Sequence, residues 1–255
     1  MNETPISVVI LTANEADNIQ RAIKSVVWAN EVILIDNSSD NTAELAKNII
    51  SDDRLQVINN NETENFSNLR NLGLTLAKNE WVLYLDADEE ITVQLKEEIK
   101  TAINEKNYNG FFIKRQDYFL GKILKYGETG NQYLLKLGKK NSGNWIRRVH
   151  EVWQLKGDIG KLNNPLMHYP HPTIAEFLER INRWTTLNAQ EFNKQNIKSD
   201  FFKIFLYPLG KFILNYFIKL GFLDGMSGLI MALMMSMHSF LTRAKLYQLQ
   251  NKRPL

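Results

Sequence analysis

The chain has 255 residues, 44% hydrophobic and 23% charged, with a formal net charge of +3. That composition fits a globular protein with one large domain, or a domain with a substantial appendage, and excludes a disordered chain. Cysteine is absent, which rules out a disulfide framework and any thiolate metal site and suits a reducing compartment.

The start, Met1-Asn2-Glu3-Thr4-Pro5, lacks the basic flank and long apolar core of a secretory signal, so a cytoplasmic protein is expected. Residues 6–11 read as a continuous apolar strand. Ile19, Ala22, Ile23, Val26 and Val27 then give helical spacing over 16–27. Residues 31–35 form a second strand ending at Asp36, and 42–50 a helix with Asp40 or Asn41 as N-cap. A short strand at 55–58, a helix at 66–77, a strand at 81–85 and a helix at 93–103 complete the alternation. Strand–helix alternation at this pitch predicts right-handed crossovers and a mainly parallel sheet with helices on both faces. The polar residues at the strand ends (Thr12, Asn14 and Glu15; Asp36 and Asn37; Asp86 and Asp88) then share the carboxyl edge, where open α/β sheets bind ligands.

Residues 108–170 change character. Segments 110–113 and 133–137 read as strands of a mixed sheet edge, joined by a glycine-containing loop over 121–130 that is either an acceptor-binding element or a plain connector. From Thr173 the pattern is helical, with Ile174, Phe177, Leu178, Ile181, Trp184 and Leu187 in one apolar stripe. Residues 201–220 are rich in aromatics, interrupted by Pro208 and studded with lysines. Residues 225–242 carry no Asp, Glu, Lys or Arg, a length at the lower limit for crossing a bilayer, roughly 17–25 residues. Their glycines, serines and His238 weaken that reading, so an interfacial or core-packed helix is expected, with a true span or a partner-binding helix as alternatives. Residues 201–255 hold seven Lys or Arg and one acid, a charge of +6, which leaves −3 for the first 200 residues. An acidic body with a basic, apolar tail points to a membrane surface more than to nucleic acid. No stripe of interleaved basic and aromatic residues suggests nucleic acid.

The strongest chemical signal is Trp81-Val82-Leu83-Tyr84-Leu85-Asp86-Ala87-Asp88-Glu89-Glu90. In extended backbone residues i and i+2 project to one side, so Asp86 and Asp88 can aim at one point. Hard cations such as Mn2+ or Mg2+ take one or two carboxylates, with water and phosphate completing the shell. The alternative is a solvated turn, with Glu89 and Glu90 starting the next helix. Asp36 can accept a hydrogen bond from an imide-like N–H such as uracil offers, and Arg70 can balance phosphate charge or contact the base. Together these residues suit displacement at a sugar anomeric carbon with a nucleoside diphosphate leaving.

Residues 6–15, 32–42, Arg70-Asn71 and 85–88 resemble, in order and spacing, the motifs of family 2 glycosyltransferases, the inverting GT-A type. Within that family the chain is similar to the lipopolysaccharide or lipooligosaccharide core β-1,4-glucosyltransferases, which add glucose to an inner-core heptose. Arg148-Val149-His150-Glu151, Leu166-Met167-His168 and Gly221-Phe222-Leu223-Asp224-Gly225 support this. The resemblance implies a GT-A domain over 1–170, with a nucleotide-sugar half (1–105) and an acceptor half (106–170), followed by a helical, membrane-associating extension (171–255). It implies that Thr12, Glu15, Asp36 and Arg70, with Asn14 on the same edge, cradle a UDP-sugar. It implies that Asp86 contacts ribose or metal and that Asp88 is the main metal ligand. Ala13 stands where many members carry an aromatic residue, and Asn37-Ser38 replaces the commoner Asp-Gly.

An inverting transfer needs a base for the acceptor hydroxyl. Glu151 matches the acidic position that members carry beyond the D-x-D, and Val149 and Trp153 beside it would raise its pKa. The alternative is a surface Glu paired with Arg147 or Arg148, and Asp117 and Asp158 are weaker candidates for the base. His168 is either a third metal ligand or a hydrogen-bonded core residue, and His150 and His171 are weaker candidates. The expected activity is transfer of a hexose, glucose by resemblance, to a lipid-anchored saccharide at the inner face of the plasma membrane. Transfer to polyprenyl phosphate or a protein side chain, and a non-catalytic membrane partner that keeps the fold, are alternatives. Nucleotidyl transfer is disfavoured, because the loop at 12–15 lacks a glycine- and lysine-rich phosphate cradle.

Overall fold

A computed structural model of the chain describes residues 4–60, 66–130, 132–147, 151–170 and 173–251. It divides into two compact units, Met1–Arg115 with Tyr133–His168, and Gln116–Gln132 with Tyr169–Leu255.

In chain order the first unit begins with β1 (Thr4–Thr12), α1 (Ala16–Val26), β2 (Ala29–Asp36), α2 (Thr42–Lys47), β3 (Leu55–Asn59), α3 (Phe66–Leu76) and β4 (Trp81–Asp86). Then follow β5 (Glu89–Ile91), α4 (Val93–Ala102) and β6 (Gly110–Phe119), whose last residues belong to the second unit, as does β7 (Lys122–Ile123). The first unit continues with β8 (Gln132–Lys139), β9 (Gly143–Ile146), β10 (Val152–Leu155), β11 (Ile159–Lys161) and β12 (Leu166–His168). The main sheet runs β3-β2-β1-β4-β8-β6-β12-β5, and β9 and β10 form a separate hairpin. Strands β1 to β4 pair in parallel, whereas β8 is antiparallel to β4 and β12 to β5. The alternation expected over the first hundred residues is thus present, continued by a mixed edge.

Successive residues of β1 feed opposite faces, as a pleated strand requires. Val8 and Ile10 pack with Ile19 and Ile23 of α1 and with Leu95 and Ile99 of α4. Val9 packs on the other face with Leu69 and Leu74 of α3 and with Tyr84, Trp145 and Trp153. Helix α3 lies so close to β1 that a Cβ on Gly73 would fall 2.5 Å from Val9 Cγ1. Gly73→Ala is therefore expected to cost about 1–3 kcal/mol by overpacking, read as a lower urea midpoint.

The helix expected from residue 93 starts at Val93, where the Thr92 side chain accepts the Leu95 N–H. The alternative raised for Glu89 and Glu90, a helix start in a solvated turn, is not what forms: they lie in β5, which pairs with β12 so that Glu89 faces His168. Glu89 is held in the strand because its carboxylate is wholly buried and accepts the Asp86 N–H at 2.9 Å.

The second unit holds α5 (Ile174–Lys194), α6 (Phe201–Ile213) and α7 (Gly225–Gln250). Thr173 caps α5 and Asp200 caps α6, each accepting an N–H of the first turn. Residues 116–132 group with these helices, together with the segment that starts at Tyr169. Phe119 and Leu124 pack against Phe177, Ile181, Met231 and Met234. The buried Asp224 carboxylate accepts the N–H groups of Lys125 and Tyr126 at 3.0 and 2.9 Å. The apolar stripe of α5 is split. Phe177, Ile181, Thr185 and Ala189 are buried, while Leu178, Trp184 and Leu187 stay exposed. Phe201–Ile218 and Gly221–Gln250 are each long and apolar enough to cross a membrane by length and composition.

Candidate functional site

Parallel register sets the site. Thr12 lies opposite Asp36, and Leu11 opposite Asp86, so the ends of β1, β2 and β4 form one edge. The loops after β1 and β2 are laced together there. Asn14 adopts a left-handed backbone conformation (φ 57°), which Asn tolerates better than most residues. Its N–H donates to Ser38 Oγ at 2.8 Å, and its Oδ1 accepts the Ser39 N–H at 2.9 Å. Ser38 Oγ in turn donates to Asp36 Oδ1 at 2.6 Å. Asn14 therefore shapes the loop. Glu15 accepts from Asn18 at 2.8 Å, and its own N–H donates to Thr42 Oγ1 at 3.0 Å. Asp36 is buried on this edge, and the buried Thr12 hydroxyl has no hydrogen-bond partner among the described residues. An orphaned buried hydroxyl costs free energy unless a ligand satisfies it.

Beside it stands a charged cluster built from four elements. Arg70 of α3 stacks on the Trp145 ring at 4.7 Å, and Trp145 stacks on Trp153 across the hairpin with ring centres 5.4 Å apart. The guanidinium donates through Nη2 to Asp86 Oδ1 at 3.2 Å and through Nε to Glu151 Oε1 at 3.1 Å. Burial alone would lower its pKa, but the Asp86 and Glu151 carboxylates outweigh that and raise it. Lys136 of β8, itself buried, donates to Asp86 Oδ2 at 2.9 Å and also to Glu89. Burial pushes Asp86 up, yet the Lys136 ammonium and the Arg70 guanidinium prevail and hold it well below the usual carboxylate range. Glu89 goes the other way, raised chiefly by its burial. Tyr84 locks this arrangement by donating from its hydroxyl to the Arg70 carbonyl at 2.6 Å.

The two aspartates of the motif have different partners. The strand ends at Asp86 and the chain turns at Ala87-Asp88, so the alignment expected of an extended strand does not apply. Asp86 faces Arg70 and Lys136, whereas Asp88 Oδ2 lies 3.5 Å from His168 Nε2. Glu151 faces Arg70 in place of the apolar setting expected for it; Arg148, Val149, His150 and His171 lie outside the described residues. Asp117 belongs to the second unit, and Asp158 is exposed between β10 and β11. Among the described residues no group of three His, Cys, Asp or Glu could hold a metal ion. Asp88 and His168 offer a two-ligand edge of the kind a cation shared with a diphosphate uses. The anchors not foreseen from sequence are Lys136, Glu89 and the Trp145–Trp153 pair. A lone Lys inside Tyr133-Leu134-Leu135-Lys136-Leu137 was the available signal, since a buried strand keeps an ammonium only for a carboxylate partner.

Fold and edge together define an α/β protein of the GT-A type with a helical C-terminal region. The family model for glycosyl transferase family 2 matches residues 7–153, and the chain belongs to that family. Among curated relatives, the lipopolysaccharide core biosynthesis glycosyltransferase LpsC of Rhizobium meliloti is 27% identical over 174 residues. That match covers 66% of this chain and 64% of LpsC, less than two thirds of the relative. An uncharacterized glycosyltransferase of Rickettsia bellii is also 27% identical, over 96% of this chain and 86% of its own length. In three dimensions the chain is similar to S. aureus TarS 1-349 in complex with UDP, with TM-score 0.51 and 15% identity over 97% of this chain and 92% of TarS 1-349.

Proposed function

We propose that the chain is an inverting hexosyltransferase that moves glucose from UDP-glucose to a lipid-anchored saccharide, an inner-core heptose of lipopolysaccharide, at the cytoplasmic face of the inner membrane. The observation that carries the chemistry is the Asp86–Arg70–Glu151 chain of ion pairs beside the unsatisfied Thr12 hydroxyl. The similarity to LpsC supports the acceptor class, and the basic, apolar second unit supports membrane contact.

In this reading Thr12, Asn14, Glu15 and Asp36 shape the nucleoside site, with Asp36 accepting the uracil N–H. Arg70 fixes the position of Glu151 and leaves one of its carboxylate oxygens for the acceptor. Glu151 removes the proton of the acceptor hydroxyl as that oxygen attacks the anomeric carbon. The carbon–oxygen bond to the diphosphate breaks on the opposite side, UDP leaves with the electron pair, and the configuration inverts. Asp88 and His168 would hold Mn2+ or Mg2+, which supplies charge neutralisation for the diphosphate when bound. Asp86 serves here as the anchor of Arg70, since both its oxygens are engaged.

The test is release of UDP from UDP-glucose on truncated core oligosaccharides, preceded by a thermal-shift panel of nucleotide sugars with manganese. No shift with any UDP-sugar would overturn the donor assignment. UDP binding without turnover on any acceptor would favour a non-catalytic partner. Asp88→Asn is expected to weaken Mn2+ binding in the presence of UDP at least tenfold, measured by calorimetry.

A further inference from the structure

Helices α5, α6 and α7 of the second unit line an open cavity of about 480 Å³, mainly with apolar surface. Phe192, Tyr207, Gly210, Lys211, His238 and Arg243 are among its walls. The Arg243 guanidinium carbon lies over two rings, 4.4 Å from the centre of Tyr207 and 5.0 Å from that of Phe192. It has no carboxylate partner among the described residues, whereas its neighbour Lys211 is paired with Glu128 at 2.6 Å. A guanidinium held against aromatic rings without a carboxylate partner keeps N–H donors for an anion.

Gly210 supplies a second, independent observation. It sits in the interior of α6, where glycine weakens a helix, yet nothing lies within 4 Å of where its Cβ would be. No packing contact requires glycine there; its effect is to keep the cavity open. The other stripe of α6 is apolar and uncovered, with Phe201, Phe202 and Phe205 exposed by 74, 69 and 63%. An anion site opening into apolar walls, on a helix whose outer stripe is bare hydrocarbon, fits an amphiphile better than a free anion.

We propose that this cavity binds one anionic membrane phospholipid, its phosphate on the Arg243 guanidinium and its glycerol and first acyl carbons against Phe192, Tyr207 and the open face at Gly210. Lys211 lies beside the headgroup. The site goes beyond the transferase reading and does not depend on it; its role is to seat the second unit at a fixed depth on the bilayer.

The test uses the full chain and dihexanoylphosphatidylglycerol below its micelle concentration. Calorimetry should give saturable one-to-one binding. Dihexanoylphosphatidylcholine and inorganic phosphate should each bind at least tenfold more weakly. Arg243→Gln, which removes the phosphate partner, and Gly210→Phe, which fills the cavity without touching charge, should each weaken binding about tenfold or more. Lys203→Gln, outside the cavity, should leave it within twofold. UDP binding and the melting temperature in each variant report folding separately. Absence of saturable binding overturns the proposal. So does equal binding of phosphate alone, which would mark a free-anion site, or unchanged binding in Gly210→Phe, which would mark adsorption to the surface.

Discussion

Glu151→Gln is expected to retain UDP binding and lose turnover by about 10²–10⁴-fold, the range spanned by a positioned general base. The substitution is nearly isosteric, and Arg70 keeps both its contact with Asp86 at 3.2 Å and its stack on Trp145. The nucleotide side of the edge should therefore stand, and calorimetry with UDP should show an unchanged affinity. The loss should fall on kcat, because the group removed acts only as the acceptor proton leaves. Glu151→Asp should recover part of the rate, since a carboxylate survives at a shifted position. Arg70→Met is the informative companion. It frees Glu151 and Asp86 at once, so it should lower kcat and raise KM for the donor together. Full activity in Glu151→Gln would remove this residue from the mechanism, whatever its place beside Arg70.

The parts of this protein governed by local pattern were legible from residues alone. Apolar runs and helical spacing placed the first four strands and their helices, because a parallel sheet covered on both faces demands continuous apolar strands. Once those strands are parallel, Thr12, Asp36 and Asp86 must share an edge, so the site's location followed from order. What escaped was set by contacts distant in sequence. A helix start in a solvated turn stayed open for Glu89 because three consecutive acids follow Ala87. Its burial beside Lys136, 47 residues away, is invisible to any local pattern. Glu151 was expected among apolar neighbours, yet its partner is Arg70, 81 residues before it. The six apolar residues of α5 were read as one stripe. The packing of that helix against α7 through an i, i+4 row leaves Trp184 and Leu187 outside.

Lys136→Met should destabilise the fold by about 3–5 kcal/mol at neutral pH, the usual cost of breaking a buried ion pair from one side. The ammonium stands between Asp86 and Glu89, and both Lys136 and Glu89 are almost fully withdrawn from water. Methionine fills the space but leaves two carboxylates without their shared cation. The pH dependence separates this from a packing defect. In the wild type Asp86 is held below its ordinary value, so its contribution is present above about pH 4 and is lost as pH falls through its folded pKa. Glu89 is raised, so its contribution is complete below its unfolded pKa, about 4.3, and is lost as pH rises through the folded value. Without Lys136 Asp86 loses a cation that held it low and Glu89 rises further, so the folded variant binds more carboxyl protons relative to its unfolded chain than the wild type does. Its stability must then fall more steeply with rising pH. Urea unfolding should show a larger gap to wild type at pH 8 than at pH 5, and adding Glu89→Gln should recover part of it. A gap independent of pH would mean that Lys136 acts through its packing alone.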